Sequence, residues 1–525
     1  MQPRTAFAYV AGMLAISLAA LLGAPVSSLD AASLSPLLLP QATGAPAASG
    51  GAAASQDAPP TKGAVLKGKA PVATDVLKVK LPRPIEGDLA NGLHLMVLED
   101  HRVPIVSFQL QIQGAGGYYD PADQPGLASF TASLMREGTT TKSARQIAQT
   151  LDTLAASLSV SAGQAAQSAT LGSRCLSEHF DQVLGLVGDV LLHPAFAQEE
   201  LDRLNVQRRA QLVQERANPS FLAQEMFAKV TYGTHPAGRV TTTAAFVDAV
   251  TRDQLAAFHR DRYAPDFAVL AIAGDITFAD ARQKIETAFA SWKKSGHAAP
   301  AVTDPADLSK AGVYLVDRPS SVQTNVIVGT QALTRTSPDF DAVQVMNKVI
   351  GGGPTGRLFL NLREDKGYTY GASSNVQAMK YRGTWAASTQ VRTPVTGPAL
   401  KELMGEIDRL RNDAVPTAEL ESAERALVAN YALSLESADR VLDYAITSWL
   451  YHLPADYWDR RPDALLAVTP EQVQAAARKY LAPARLQIIA VGTGAAIGSI
   501  LETYGAVNTF DVDGRAASHV SDSGK

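Results

Sequence analysis

The 525-residue chain has almost no cysteine. One thiol, Cys175, permits no disulfide within the chain, so cysteine usage says nothing about compartment, and a small buried thiol is its reading. An excess of basic charge is also missing. Lys and Arg number 47 against 51 Asp and Glu, a formal net charge of −4, which leaves no electrostatic footprint for nucleic acid. After the N-terminal segment, no apolar run is long enough to cross a bilayer. There is no Gly-x-Ser-x-Gly elbow and no Walker loop. Of nine histidines, no two stand three or four positions apart, so a paired-His zinc motif is excluded in either orientation. His179 and His193 read as helix surface or end residues. His235, in YGTHPAGR, precedes a proline and reads as a turn residue.

What is present begins at the N-terminus. In MQPRTAFAYVAGMLAISLAALLGAPVSS, Arg4 precedes an uncharged, mostly apolar run from Phe7 to Leu22. That run is short for a membrane span and fits the hydrophobic region of a signal peptide. Residues 1–30 are therefore expected to be a signal peptide. The mature chain is expected to be exported, to a periplasm, without stable membrane insertion. Tethering to the inner membrane by an uncleaved segment is the alternative, because no charge appears between Arg4 and Asp30. Residues 31–75, rich in Ala, Ser, Gly and Pro, read as a flexible linker.

Two blocks follow, 76–292 and 312–515, separated by a linker over 293–311 and followed by a tail, 516–525, expected to be disordered. The blocks resemble each other. NGLHLMVLED begins the first and AGVYLVDRPS the second; VTRDQLAAFHRDRYAPDFAVLAIAGD closes the first and VTPEQVQAAARKYLAPARLQIIAVGTG the second. Gly92 and Gly312 are 220 positions apart and Val250 and Val468 are 218 apart, which argues for internal duplication. Each half reads as strand, strand, long helix, strand, several helices and a closing strand. The fold class is thus α+β: two homologous domains, each with helices packed on a mostly antiparallel or mixed sheet, facing each other across a cleft.

Two segments bear on chemistry. In GLASFTASLMREGT, Leu127, Phe130 and Leu134 give a helical period after Pro125-Gly126, yet the polar positions are small until Arg136. In GGGPTGRLFLNLREDKGYTYGASSNV, the glycines read as a tight turn into a helix that Pro354 or Thr355 starts and Gly367 stops. Tyr368, Tyr370 and Ala372 then alternate as a strand. Arg363, near the helix end, and Tyr370, on the departing strand, are seven residues apart across a reversal that can bring them side by side. A guanidinium beside a phenol can hold a peptide carbonyl and its oxyanion; on spacing alone, a surface Arg and a half-buried sheet Tyr are the simpler reading.

Over roughly residues 76–515 the chain resembles the pitrilysin/insulinase family of zinc metallopeptidases, the inverzincins. GLASFTASLMREGT resembles the family's Gly-Leu-Ala-His-x-x-Glu-His segment with its following Gly-Thr. GGGPTGRLFLNLREDKGYTYG resembles the stretch that holds the family's Arg and Tyr pair, with Gly351-Gly352-Gly353, Arg357-Leu358, Leu362-Arg363-Glu364 and Gly367 in place. The resemblance implies that Arg363 and Tyr370 are catalytic. It also implies that the zinc motif has degenerated, with Ser129 and Ser133 at the two His positions and Ala132 at that of the general base. The third ligand, a Glu, would fall near Arg209, Ala210 or Gln211, none a carboxylate, with Glu215 about a turn too late. No cofactor is expected in this chain. The implied partner is a homologous zinc-bearing subunit to which this chain supplies Arg363 and Tyr370 in trans, with peptides as substrates. A catalytically inert peptide-binding or assembly scaffold of the same fold is the alternative. An independent enzyme of unrelated chemistry has no nucleophile–base pattern behind it.

Overall fold

A computed structural model describes residues 80–297 and 300–517. The expected signal peptide and the 31–75 linker lie outside the described residues. So does most of the 516–525 tail, although Ala517 N–H donates to Thr509 O at 2.9 Å. Among the described residues no helix is long and apolar enough to cross a membrane.

The first half runs β1 (Ile85–Asp88), β2 (His94–Glu99), β3 (Ile105–Gln113), α1 (Leu127–Met135), α2 (Ala144–Thr153), β4 (Ser157–Ala162) and β5 (Ser168–Leu176). It continues through α3 (Phe180–Leu192), α4 (Gln198–Ala217), α5 (Pro219–Tyr232), α6 (Ala244–Ala249), α7 (Arg252–Arg262), β6 (Ala268–Gly274) and α8 (Phe278–Ala288). The second half repeats the order from the second strand on: β7 (Gly312–Asp317), β8 (Gln323–Gln331), α9 (Phe340–Ile350), and α10 (Arg357–Phe359), which widens into a π turn over Leu360–Asp365. Next come β9 (Thr369–Gln377), β10 (Thr384–Arg392), α11 (Thr396–Asn412), α12 (Thr417–Ser434), α13 (Ala438–Tyr451), α14 (Arg461–Leu466), α15 (Pro470–Tyr480), β11 (Gln487–Gly492), α16 (Gly494–Glu502) and β12 (Val507–Phe510). The single middle strand read from sequence is a hairpin in both halves.

Each half builds a six-stranded mixed sheet, in the order β1-β2-β6-β3-β5-β4 and β12-β7-β11-β8-β10-β9. β6 and β11 lie inside their sheets and every residue of both is buried. That burial explains why AVLAIAG and QIIAVG are continuously small or apolar rather than alternating. The registers reveal the duplication. His94 pairs with Val269 in the first sheet and Gly312 with Gln487 in the second, so both members shift by 218 (312 − 94 and 487 − 269). The 220-residue offset from Gly92 was thus a slip of two positions. Thr251 and Thr469, again 218 apart, each form a reciprocal capping box, with Gln254 and Gln472 respectively.

The halves are joined by a reciprocal loan of helices. α5 of the first half packs on the second sheet, setting Leu222, Met226 and Phe227 against Val316, Ile489 and Val491. α13, its counterpart, packs on the first sheet, setting Leu442, Ala445 and Ile446 against Met96, Val269 and Ala271. Burying such side chains stabilises by about 1.5–3 kcal/mol each, and here that stabilisation depends on both halves together.

Candidate functional site

Helix α1 begins where the sequence places it. Gly126 takes a left-handed φ of 116°, and the helix starts at Leu127. No side chain of the cap itself stabilises this end; the buried carboxylate of Asp120 accepts from Gly126 N–H at 2.7 Å and Ala128 N–H at 2.9 Å. Burial raises the Asp120 carboxyl to about 6, while those backbone donors pull the other way. Reading the sequence missed this remote cap, because six residues and a turn separate Asp120 from the helix it serves.

The three positions on α1 have their own local uses. Ser129 Oγ donates to Gly126 O at 2.9 Å and accepts from Gln164 Nε2 at 3.2 Å. Ser133 Oγ donates to Ser129 O at 2.8 Å. Both hydroxyl protons are thus directed at carbonyls of the helix's own first turns. Ala132 is 0% exposed, packed in the core of the first half. On α4, Arg209, Ala210 and Gln211 face outward, and Arg209 is paired with Asp248. Glu215 points inward, where Arg208 donates to it at 2.8 Å and Thr241 at 2.6 Å. Among the described residues no group of three or more His, Cys, Asp and Glu could hold a metal ion. At the positions that the resemblance aligns with a zinc motif, two weak neutral hydroxyls and a methyl do not fit zinc, which takes imidazole, thiolate or carboxylate ligands.

The remaining singled-out residues are structural. His179 and His193 flank α3 at its two ends. His235 caps a short turn, its Nδ1 accepting from Ala237 N–H at 3.3 Å. Cys175 is buried, and burial raises its thiol to about 11.

In the second half the Gly-rich segment is a turn, as expected, but the helix starts at Arg357, later than Pro354 or Thr355. A Cβ on Gly351 would lie 2.5 Å from Ser374 N, so the turn can lie against β9 only with a glycine there. Arg357 anchors α10 through two hydrogen bonds to Glu419, at 2.7 and 2.8 Å. Asn361 anchors the π turn by donating to Glu402 and Glu406 on α11, at 3.0 and 2.6 Å. Gly367, at φ 62°, ends the helix; its N–H donates to Arg363 O at 3.1 Å, and Tyr368 N–H donates to Leu362 O at 2.9 Å.

Arg363 therefore leaves a π turn, a distortion often found at functional sites. Its side chain is 46% exposed, its guanidinium lies 4.7 Å over the Phe359 ring, and Nε is 3.6 Å from Glu364. Tyr370 is 91% exposed. Among the described residues no hydrogen bond or ring contact joins the two side chains. Sequence alternation had placed Tyr370 on the face of Ala372; the structure does not. Thr369 pairs with Val391 and Ala372 with Thr389, so β9 advances three residues where β10 advances two. The extra residue makes a bulge at Tyr370–Gly371, and the phenol turns away from the buried face that holds Ala372 and Ser374.

Two six-stranded mixed sheets joined by a reciprocal helix exchange define a duplicated α+β architecture of the peptidase class. The chain belongs to the M16, or insulinase, peptidase family. The model described as "Insulinase (Peptidase family M16)" matches residues 95–244 and that described as "Peptidase M16 inactive domain" matches 249–427. An uncharacterized zinc protease of Bacillus subtilis, YmxG, is 26% identical over 358 residues, spanning 66% of this chain and 84% of its own. An uncharacterized zinc protease of Mycobacterium leprae is 25% identical over 393 residues, spanning 74% and 87%. Among solved structures, a peptidase M16 inactive domain from Pseudomonas fluorescens superposes with a TM-score of 0.73 at 28% identity, covering 78% of this chain and 98% of its own. A protease from Helicobacter pylori has the same TM-score at 16% identity, covering 79% and 100%.

Proposed function

We propose that this chain is the non-zinc-binding subunit of an exported heterodimeric zinc metallopeptidase, and that it supplies Arg363 and Tyr370 to peptide-bond hydrolysis in trans. One contrast carries the reading. The hydroxyls and the methyl at the zinc-motif positions are spent on their own helix and core, whereas the side chains of Arg363 and Tyr370 are presented outward on two specially shaped elements. Arg363 would hold the scissile peptide through its carbonyl oxygen. Tyr370 would donate a hydrogen bond from its phenolic hydroxyl to the oxyanion as the tetrahedral intermediate forms. The metal and the water-activating base belong to the homologous partner.

The test is co-expression with a homologue that carries His-x-x-Glu-His, followed by a peptide-cleavage assay. Arg363→Ala combined with Tyr370→Phe is expected to lower kcat by about 10²-fold or more, the usual loss when oxyanion donors are removed. Undiminished cleavage would overturn the role in trans. The alternative, an inert scaffold, draws support from the 28% identical relative described as an inactive domain. Stable co-purification with a non-peptidase complex, and no gain of activity with the zinc-bearing homologue, would favour it.

A further inference from the structure

The bulge that turns Tyr370 outward needs something to hold it, and three features of the strand could do so. Glycine conformation is the first. Gly371 does not occupy the left-handed region, and a Cβ built on it meets nothing within 4 Å. The position therefore does not demand a glycine, unlike the bulge type that depends on one. Side-chain packing is the second, but a ring that is 91% exposed is not held by a core.

The third is the hydroxyl of Thr369. Its Oγ1 lies 2.7 Å from Gln390 O and accepts from Gly371 N–H at 3.0 Å; Gly371 O lies 2.9 Å away. Thr389 Oγ1 donates to that same Gly371 O at 3.1 Å. With one proton and its lone pairs, the Thr369 hydroxyl spans the gap that the extra residue opens in the ladder. It accepts from an amide on β9 and lies within donating distance of a carbonyl on β10.

We propose that Thr369 is the positioning residue for Tyr370: its hydroxyl, bridging Gly371 N–H and Gln390 O, holds the extra residue in β9 that directs the phenol away from the buried face of the sheet. Without that bridge, β9 regains regular alternation and Tyr370 falls on the side of Ala372 and Ser374. The catalytic consequence, though not the positioning, rests on the oxyanion role assigned to Tyr370 above.

Thr369→Val removes the hydroxyl with little change of shape and keeps a β-branched residue suited to a strand. Thr369→Ser keeps the hydroxyl. Two readouts need no partner: the ¹⁹F resonance of 3-fluorotyrosine at position 370, and hydrogen exchange at the Gly371 amide. Thr369→Val is expected to shift the fluorine signal and speed Gly371 exchange about tenfold, the order that loss of one hydrogen bond implies. Thr369→Ser is expected to restore both. In the complex with a zinc-bearing homologue, Thr369→Val is expected to lower kcat about tenfold with little change in KM, and Thr369→Ser to recover it. A wild-type fluorine signal and unchanged Gly371 exchange in Thr369→Val would overturn the proposal. If those signals move while Tyr370→Phe cleaves as the wild type does, the positioning stands and the oxyanion role falls.

Discussion

The ring of Phe227, in the first half, lies against Gly329 on β8 of the second sheet: a Cβ on Gly329 would sit 2.6 Å from the ring and 2.7 Å from Trp385 O. The helix exchange is therefore seated on a glycine that leaves no room for a methyl. Gly329→Ala is expected to destabilise the protein by about 1–3 kcal/mol, as overpacking does. Ile446→Ala, across the reciprocal contact, is expected to cost about 2–5 kcal/mol. Urea unfolding measures both; a change below about 0.5 kcal/mol for Gly329→Ala would show that α5 can lift off at little cost.

Rebuilding the metal motif on α1 is expected to fail. Ser129→His, Ala132→Glu and Ser133→His together restore the residue types, but Ala132 is fully buried and α4 presents no carboxylate at Arg209, Ala210 or Gln211. A glutamate forced into that core is expected to destabilise the fold by about 1–3 kcal/mol through overpacking alone. Metal analysis after dialysis should find no retained zinc, and one tightly held zinc per chain would contradict the geometry.

His259 gives a pH dependence of definite sign. It is half-buried, its Nε2 is 2.8 Å from Leu191 O, and the loss of water around it holds its pKa down at about 4. The unfolded chain binds this proton near pH 6.5, so between pH 6.5 and 4 the unfolded state carries more protons than the folded one. The stability tied to neutral His259 is whole above pH 6.5 and is lost as pH falls toward 4, about 3 kcal/mol across the window. His259→Gln should remove that slope. Denaturation curves at several pH values compare the two, and parallel pH profiles would show that His259 does not titrate this way.

Arg357 and Glu419 join α10 to α12 with two hydrogen bonds, and the Arg357 side chain is only 8% exposed. Arg357→Ala removes two charge-assisted hydrogen bonds but leaves a partly hydrated carboxylate, so it is expected to cost about 1–3 kcal/mol. Arg357→Lys keeps the charge but cannot span both oxygens, so it should recover only part of the loss. Full recovery by lysine in a thermal unfolding assay would show that charge alone, and not the fork geometry, holds the helix.

Much of this molecule was legible in one dimension. The segments that end in AVLAIAGD and QIIAVGTG read as the closing strands of two similar blocks, because a short apolar run is a local property. The lack of a paired-His motif was likewise a matter of residue type and spacing: no two of the nine histidines stand three or four positions apart. Register was less legible. The Gly92–Gly312 anchor slipped by two positions, since a loop offers no pairing partner to fix it, whereas His94 and Gly312 are fixed by the strands beside them.

What only the tertiary structure decided arises from partners far apart in sequence. Nothing near α5 says that its apolar face belongs to the other half's sheet, because an amphipathic face specifies burial but not by whom. Nothing near Asp120 says that it caps α1. Alternation placed Tyr370 with Ala372, and one extra residue, visible only against the ladder of β10, turned it away from that buried face. Residue types by themselves determined which metal-binding patterns this chain lacks; the pairing of strands decided where Tyr370 points, because a bulge exists only relative to a neighbouring strand.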